Sequence, residues 1–316
     1  MAGFASTTDM AEKAVSFDEL GPGLYAYTAE GDPNSGIVVG KDGVVVVDAQ
    51  ATPAMAQDVM RRIAAVTDRK VAQVVLSHYH AVRVLGASGY GAHAVLASDA
   101  THALIEERGR QDMDSEIGRF PRLFRGRESI PGLTWPTHSF DRMMTLWLGG
   151  REAQVIHIGR AHTAGDTVVW LPEERVLFAG DTVEFGATPY CGDAHFADWP
   201  ETLRAIRDLG PEKLVPGRDH ALLTREDVAQ GLLRPGLAHA AGDADDPRPG
   251  PRPPRPAQRL QPGLRVRQQE QRRVGWHLLR HAGDERGHRP APQRVRDESV
   301  AVAVLARQRH KEVTRR

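Results

Sequence analysis

The chain has 316 residues, 41% of them hydrophobic and 26% charged, enough to bury a full core in one large or two modest domains. A formal net charge of zero gives no case for nucleic acid or a strongly charged partner. The single cysteine, Cys191, excludes an internal disulfide framework and a cysteine-only zinc site.

The opening stretch MAGFASTTDMAEKAVSFDEL mixes acids with short apolar pieces and lacks a signal-peptide core. No apolar run reaches the ~18 residues of a membrane span, so the expectation is a soluble, cytoplasmic protein with a flexible N-terminus over 1–16. GLYAYTAE and NSGIVVGKDGVVVVDAQA then read as strands, with KDG as a hairpin turn between two valine-rich runs. TPAMAQDVMRRIAAVT is a helix with Ala54, Met55, Val59, Ile63 and Ala64 on one stripe. KVAQVVLSHYH is a buried strand that ends in histidines. DATHALIEERG is a helix opening near Asp99 or Thr101 and stopping at Gly109. RQDMDSEIGRFPRLFRGRESIPGLTWP reads as a flap or insertion, whose Phe120, Phe124 and Trp135 suit a small core or a substrate wall equally. REAQVIHIGRAH, DTVVWLPEERVLFAGD and KLVPGRDH are strands ending in polar residues. DWPETLRAIRDLG is a helix capped by Asp198 and stopped by Gly210, and LTREDVAQGLL begins another with Thr224 as cap and Asp227 three residues on.

After Leu232 the composition breaks. From Arg234 to Arg316 there is no Ile, Phe, Tyr or Met, one Trp (Trp276), and an excess of about ten positive charges. Such a composition buries too little apolar surface to offset chain entropy, so disorder is expected over 233–316, with ESVAVAVLARQRHKEV as the one helical candidate. Three readings fit this tail: a solvated linker, a basic arm touching nucleic acid or membrane, or a non-native segment translated from a GC-rich gene in a shifted frame.

The polar residues of the front half are placed consistently. His78 and His80, His162, Asp181, and Arg218 to His220 all follow the C-terminal ends of expected strands, the edge at which open α/β layers bind ligands. A long Gly-rich loop, EFGATPYCGDAHFADW, adds Tyr190 and His195 as candidate substrate contacts.

Over residues 17–232 these motifs resemble the metallo-β-lactamase superfamily. SHYHAV resembles its His-x-His-x-Asp-His motif, GRAHTAGDTVVWLPEERVLFAGDTVE its next two metal elements, and VPGR its closing Pro-Gly-His. The resemblance implies an α/β fold, a four-layer αβ/βα sandwich of two mixed sheets flanked by helices. It also implies that His78, His80 and His162 form a first metal site, with Asp181 serving mainly a second. The remaining second-site ligands fall at Val82, Arg83 and Arg218, none of which binds zinc: valine has no donor and guanidinium stays protonated. Arg83 and Arg218 are therefore expected to occupy the second metal position beside Asp181 and to offer charge to an anionic small-molecule substrate. His220, two residues past the expected closing ligand, is either a surface histidine or a register-shifted replacement ligand.

The activity implied by the resemblance is that of a hydrolase with one zinc ion, or two. Its bound hydroxide would attack an ester, thioester, lactone or lactam, with Asp181 orienting the water. His78, His162 and Asp181 also make a two-histidine, one-carboxylate set suited to Fe2+ and oxygen chemistry, as in the superfamily's persulfide dioxygenases. A third reading is a degenerate member that binds a ligand without turnover.

Overall fold

The structure is a computed structural model that describes residues 11–185 and 190–233. The expectations for the first ten residues, for the tail beyond residue 233 and for its helical candidate lie outside the described residues.

Four antiparallel strands open the fold: β1 (Val15–Gly21), β2 (Leu24–Ala29), β3 (Ser35–Val39) and β4 (Val44–Val47). The hairpin expected at Lys41-Asp42-Gly43 joins β3 to β4, with Gly43 at φ 151°, where a side chain would be strained. After helix α1 (Pro53–Val66) the sheet continues in parallel through β5 (Val71–Val75), β6 (Ala94–Ser98) and β7 (His138–Phe140), giving seven strands in chain order. A single turn of helix, α2 (Ala81–Val84), follows β5, and α3 (Asp99–Arg119) follows β6. The second sheet runs antiparallel through β8 (Met143–Trp147), β9 (Glu152–His157), β10 (Thr167–Leu171) and β11 (Val176–Gly180), with β12 (Lys213–Pro216) parallel to β11 at its edge. Helices α4 (Trp199–Leu209) and α5 (Arg225–Leu233) follow β11 and β12.

The continuous valine runs fold this way because both faces of the central strands are buried. Side chains alternate along a strand, and here each face meets a different apolar layer. In β4, Val44 and Val46 face α1, packing with Met55, Val59 and Ile63, while Val45 and Val47 join Val155, Val169, Leu171 and Phe178 between the sheets. In β10 and β11, Val168, Trp170, Leu177 and Ala179 face outward against Trp199, Leu203 and Ile206 of α4 and Val228 of α5. Three apolar layers separate four structural ones: the αβ/βα sandwich. Each fully buried Val, Leu or Phe contributes about 1.5–3 kcal/mol over an exposed one, so these layers dominate the stability of the fold.

The structure corrects two helices. On α1, Ala54 and Ala64 are exposed and Ala56 takes the inward place. Helix α3 does not stop at Gly109 but runs ten residues further, and its cap is Ser98, whose Oγ accepts from Thr101 N at 3.1 Å. Glycine inside a helix costs about 1 kcal/mol relative to alanine, which tertiary contacts of the added turns offset. Much of the expected flap is thus helix. The rest is irregular apart from two 3-10 turns, the first of which buries Leu123 and Phe124 in the α1-side core, with Phe120 packed against it and Trp135 left 49% exposed. The strands β1, β6, β7 and β8 carry weak alternation and are added by the structure.

Candidate metal centre

The residues that build the site follow the ends of strands. Asp48 follows β4, His78 and His80 follow β5, His162 lies between β9 and β10, Asp181 follows β11, and Arg218 follows β12. Three imidazoles converge: His80 Nδ1 lies 3.1 Å from His78 Nε2 and 3.0 Å from His162 Nε2. The fourth group is Asp181, whose Oδ2 stands 3.7 Å from His78 Nε2 and 3.6 Å from His162 Nε2. Donors ~2.0–2.1 Å from a tetrahedral zinc are about 3.3 Å apart, so the three imidazole nitrogens match one ion's ligand sphere in spacing, with Asp181 beside two of them.

The hydrogen-bond network fixes which lone pairs face inward. Ser77 Oγ donates to Asp48 Oδ2 at 2.9 Å and lies 2.9 Å from His78 Nδ1, which must then be the donor, leaving His78 Nε2 as a lone pair. Asp48 also accepts from Ser77 N at 2.8 Å. It is the hydrogen-bond anchor beneath the site, and burial pushes its pKa up to about 6. His80 Nε2 lies 3.0 Å from Asp193 Oδ2, which also accepts from Tyr79 at 2.6 Å, while Arg108 donates to Asp193 Oδ1 at 2.9 Å. His80 Nδ1 is then left facing two other nitrogens. Lone pairs at this separation repel unless a cation or a proton lies between them. Accordingly burial, which would lower the His80 pKa, is outweighed by the hydrogen bond to Asp193 and the charges of Asp112, Glu116 and Asp181, and the pKa is raised. Burial drives His162 down to about 3 and His78 well below the ordinary value. Three ring nitrogens turned toward one another fit a divalent ion placed between them. His162 Nδ1 is buried and has no hydrogen-bond partner among the described residues.

Two arginines stand on the far side of Asp181. Arg83 has no exposed surface; its Nη2 donates to Asp181 Oδ1 and, at 2.6 Å, to Gly217 O, and its Nη1 donates to Asn34 O at 3.1 Å and lies 3.7 Å from Asp48. Gly217 is required here, since a Cβ would stand 1.8 Å from Asp181 Oδ1. Burial would raise the Asp181 pKa, but Arg83, then His78, His162 and Arg218, hold it well below the usual carboxylate range. Arg218 donates to Gly31 O at 3.1 Å, with Nε 3.8 Å from Glu184 Oε1. Val82 turns into the apolar core, and its N–H donates to Glu116 at 3.2 Å, while Ala81 N donates to Asp112 at 2.7 Å. The two acids, four apart on α3, thus cap the N-terminus of α2.

Of the residues expected to touch substrate, Arg83 is fully buried, with both terminal nitrogens bonded and Nε without a partner among the described residues, so in this structure it reaches no surface that a substrate could touch. Tyr190 flanks the triad, its ring 5.6 Å from His80 and 6.2 Å from His162. His195 is half-buried, its N donating to Ala161 O beside His162 at 2.7 Å. His220 does not join the cluster: its side chain is 63% exposed, paired with Asp219 at 3.1 Å and set against Phe185. Gly217 and the β12 register place residue 218, not 220, beside Asp181, and His220 stands apart from the grouped donors. A polar cavity of about 360 Å³ lies behind His80, lined by Tyr79, Arg108, Asp112, Arg119, Tyr190 and Asp193. Sequence reading missed Asp112, Glu116 and Glu184. The first two share a helix face at i, i+4, a signal hidden by ending α3 at Gly109.

Comparison with known proteins agrees with this architecture. The chain is 25% identical over 211 residues to a metallo-beta-lactamase type 2 of Pseudomonas aeruginosa, covering 64% of this chain and 76% of that protein. It is 28% identical over 210 residues to the 2,4-dinitroanisole O-demethylase subunit alpha of a Nocardioides species, covering 66% and 58% respectively. A solved metallo-beta-lactamase from Pontibacter korlensis superposes with a TM-score of 0.57 at 20% identity, over 71% of this chain and 99% of the other, a likeness of fold. The family profile of the metallo-beta-lactamase superfamily matches residues 28–218, from within β2 to the arginine after β12, and so takes in each strand end that builds the site. The chain belongs to the metallo-β-lactamase superfamily.

Proposed function

We propose that the protein is a hydrolase dependent on a single divalent ion held by His78, His80 and His162 together with Asp181 Oδ2. The observation that carries this reading is the convergence of three imidazole nitrogens and one carboxylate oxygen, with Arg83 on the other Asp181 oxygen. Arg83 and Arg218 supply fixed positive charge where a second ion would sit, which favours one ion over two. When bound, a zinc ion would lower the pKa of a coordinated water toward ~7 and polarise a carbonyl, chemistry suited to esters, thioesters, lactones or lactams.

The chain's own residues have distinct parts in this. Asp181, held ionised by Arg83, accepts a hydrogen bond from water and orients it; a carboxylate of such low proton affinity does not store the proton. Asp193 fixes the His80 ring through Nε2. Tyr190 and His195 border the site and are assigned to substrate positioning; Arg218 is assigned a supporting charge. The two-histidine, one-carboxylate subset gives Fe2+ the same cradle, so metal identity decides between hydrolysis and oxygen chemistry.

The test is metal analysis of the purified protein with a turnover screen spanning esters, thioesters, lactones, a β-lactam and a nitroanisole ether. One zinc with turnover abolished by His80→Ala supports hydrolysis. Iron with oxygen uptake replaces it by the dioxygenase reading, and absence of metal above trace levels overturns both.

A further inference from the structure

We propose that Glu184 is a further ligand of the same ion, entering from the side shared by His162 and Asp181; the inference rests on the reading that the triad holds such an ion. Glu184 lies three residues past Asp181, on a turn tied down by Val183 N to Gly180 O at 3.4 Å and by Gly217 N to Val183 O at 3.0 Å. Its position is therefore set by the same strand ends that set the site. Its side chain is 1% exposed and its carboxyl oxygens meet no N–H or O–H donor among the described residues, while burial, and then the neighbouring Asp181 carboxylate, push its pKa up to about 8. Arg218 Nε, at 3.8 Å, is beyond hydrogen-bonding distance. One carboxyl oxygen lies within 4.8 Å of donor atoms of both His162 and Asp181. A buried carboxyl group that meets no cation among the described residues at hydrogen-bonding distance, and lies beside two metal-ligating atoms, fits a metal ion.

Charge balance points the same way. A divalent ion adds its two positive charges to those of Arg83 and Arg218, with Asp48 and Asp181 opposing them from within the same buried volume. An ionised Glu184 reduces the remaining excess. The ligand set then becomes three imidazoles and two carboxylates. Five donors exceed the four of a tetrahedral zinc site and suit an ion tolerant of five or six ligands, such as Fe2+, Mn2+ or Co2+.

The test loads the full chain with Co2+ and reads its visible absorption bands, its stoichiometry and its affinity by chelator competition. The expected result is one ion per chain with the weak bands of five- or six-coordinate cobalt. Glu184→Gln keeps that stoichiometry, gains the intense bands of four-coordinate cobalt and loses tenfold or more in affinity. Unchanged bands and affinity in Glu184→Gln overturn the proposal. So does a wild type that binds two ions and falls to one in the variant, because Glu184 then serves a separate ion. If Glu184→Gln does not fold, Glu184→Asp is read instead: a shortened reach shifts the bands if Glu184 is a ligand and leaves them alone if it is not. A wild type that takes up no cobalt overturns the triad reading itself, a failure distinct from that of Glu184.

Discussion

Arg83 carries a fixed charge into the buried volume beside Asp181. Its two terminal nitrogens serve different acceptors, Asp181 and Gly217 O on one side and Asn34 O on the other, all without solvent. Removing one member of such a buried pair leaves an uncompensated charge, so Arg83→Met should destabilise the fold by about 3–5 kcal/mol in urea unfolding, with Arg83→Lys a poor rescue because an ammonium cannot span both sets of acceptors. His80 gives a prediction in pH. Its pKa is raised, while those of His78 and His162 are depressed, so metal uptake displaces one proton from the triad rather than three. Below the His80 pKa the apparent affinity should fall about tenfold per pH unit, and above it the affinity should be flat. Calorimetry in buffers of different ionisation enthalpy counts the released proton. Asp193→Asn removes the negative charge that faces His80 Nε2–H and should weaken metal binding by about 10–100-fold while lowering the pH at which the slope begins.

Helix α3 is the element on which the site's architecture turns. Its N-cap, Ser98, accepts from Thr101 N at 3.1 Å and donates to Gly165 O at 2.8 Å, tying α3 to the loop that carries His162. That loop is braced from within by Asp166, which accepts from Thr163 N and Oγ1, and whose pKa burial pushes up to about 7. Ser98→Ala should cost about 1–2 kcal/mol, read as a lowered urea midpoint with an unchanged slope. Farther along α3, Asp112 and Glu116 hold the first N–H groups of α2 and thereby the backbone between His80 and Arg83. A helix that ended at Gly109 would leave α2 uncapped. The strand elements are more forgiving, since continuous valine runs are apolar on whichever face they present.

At the scale of the whole molecule, the site joins chain segments more than a hundred residues apart, so an ion that binds them together binds only the folded state. Saturation to about 100 times Kd should stabilise the protein by ~2.7 kcal/mol and raise its melting temperature by about 5–10 °C, and a chelator should reverse the shift. Much of this was legible in advance. The sandwich, the valine strands, the KDG hairpin and the strand-end placement of His78, His80, His162 and Asp181 follow from periodicity, turn chemistry and motif resemblance, which are local and written residue by residue. So does the loss of donors at positions 82, 83 and 218, because valine and guanidinium cannot ligate in any fold. Three-dimensional packing alone decided the rest. It ran α3 through Gly109, gave His220 to solvent, turned Arg83 from a substrate contact into a buried partner of Asp181, and brought Glu184 to the edge of the triad. The physical reason is that the fate of a charged side chain depends on which distant groups share its buried volume, and no local pattern along the chain encodes that company.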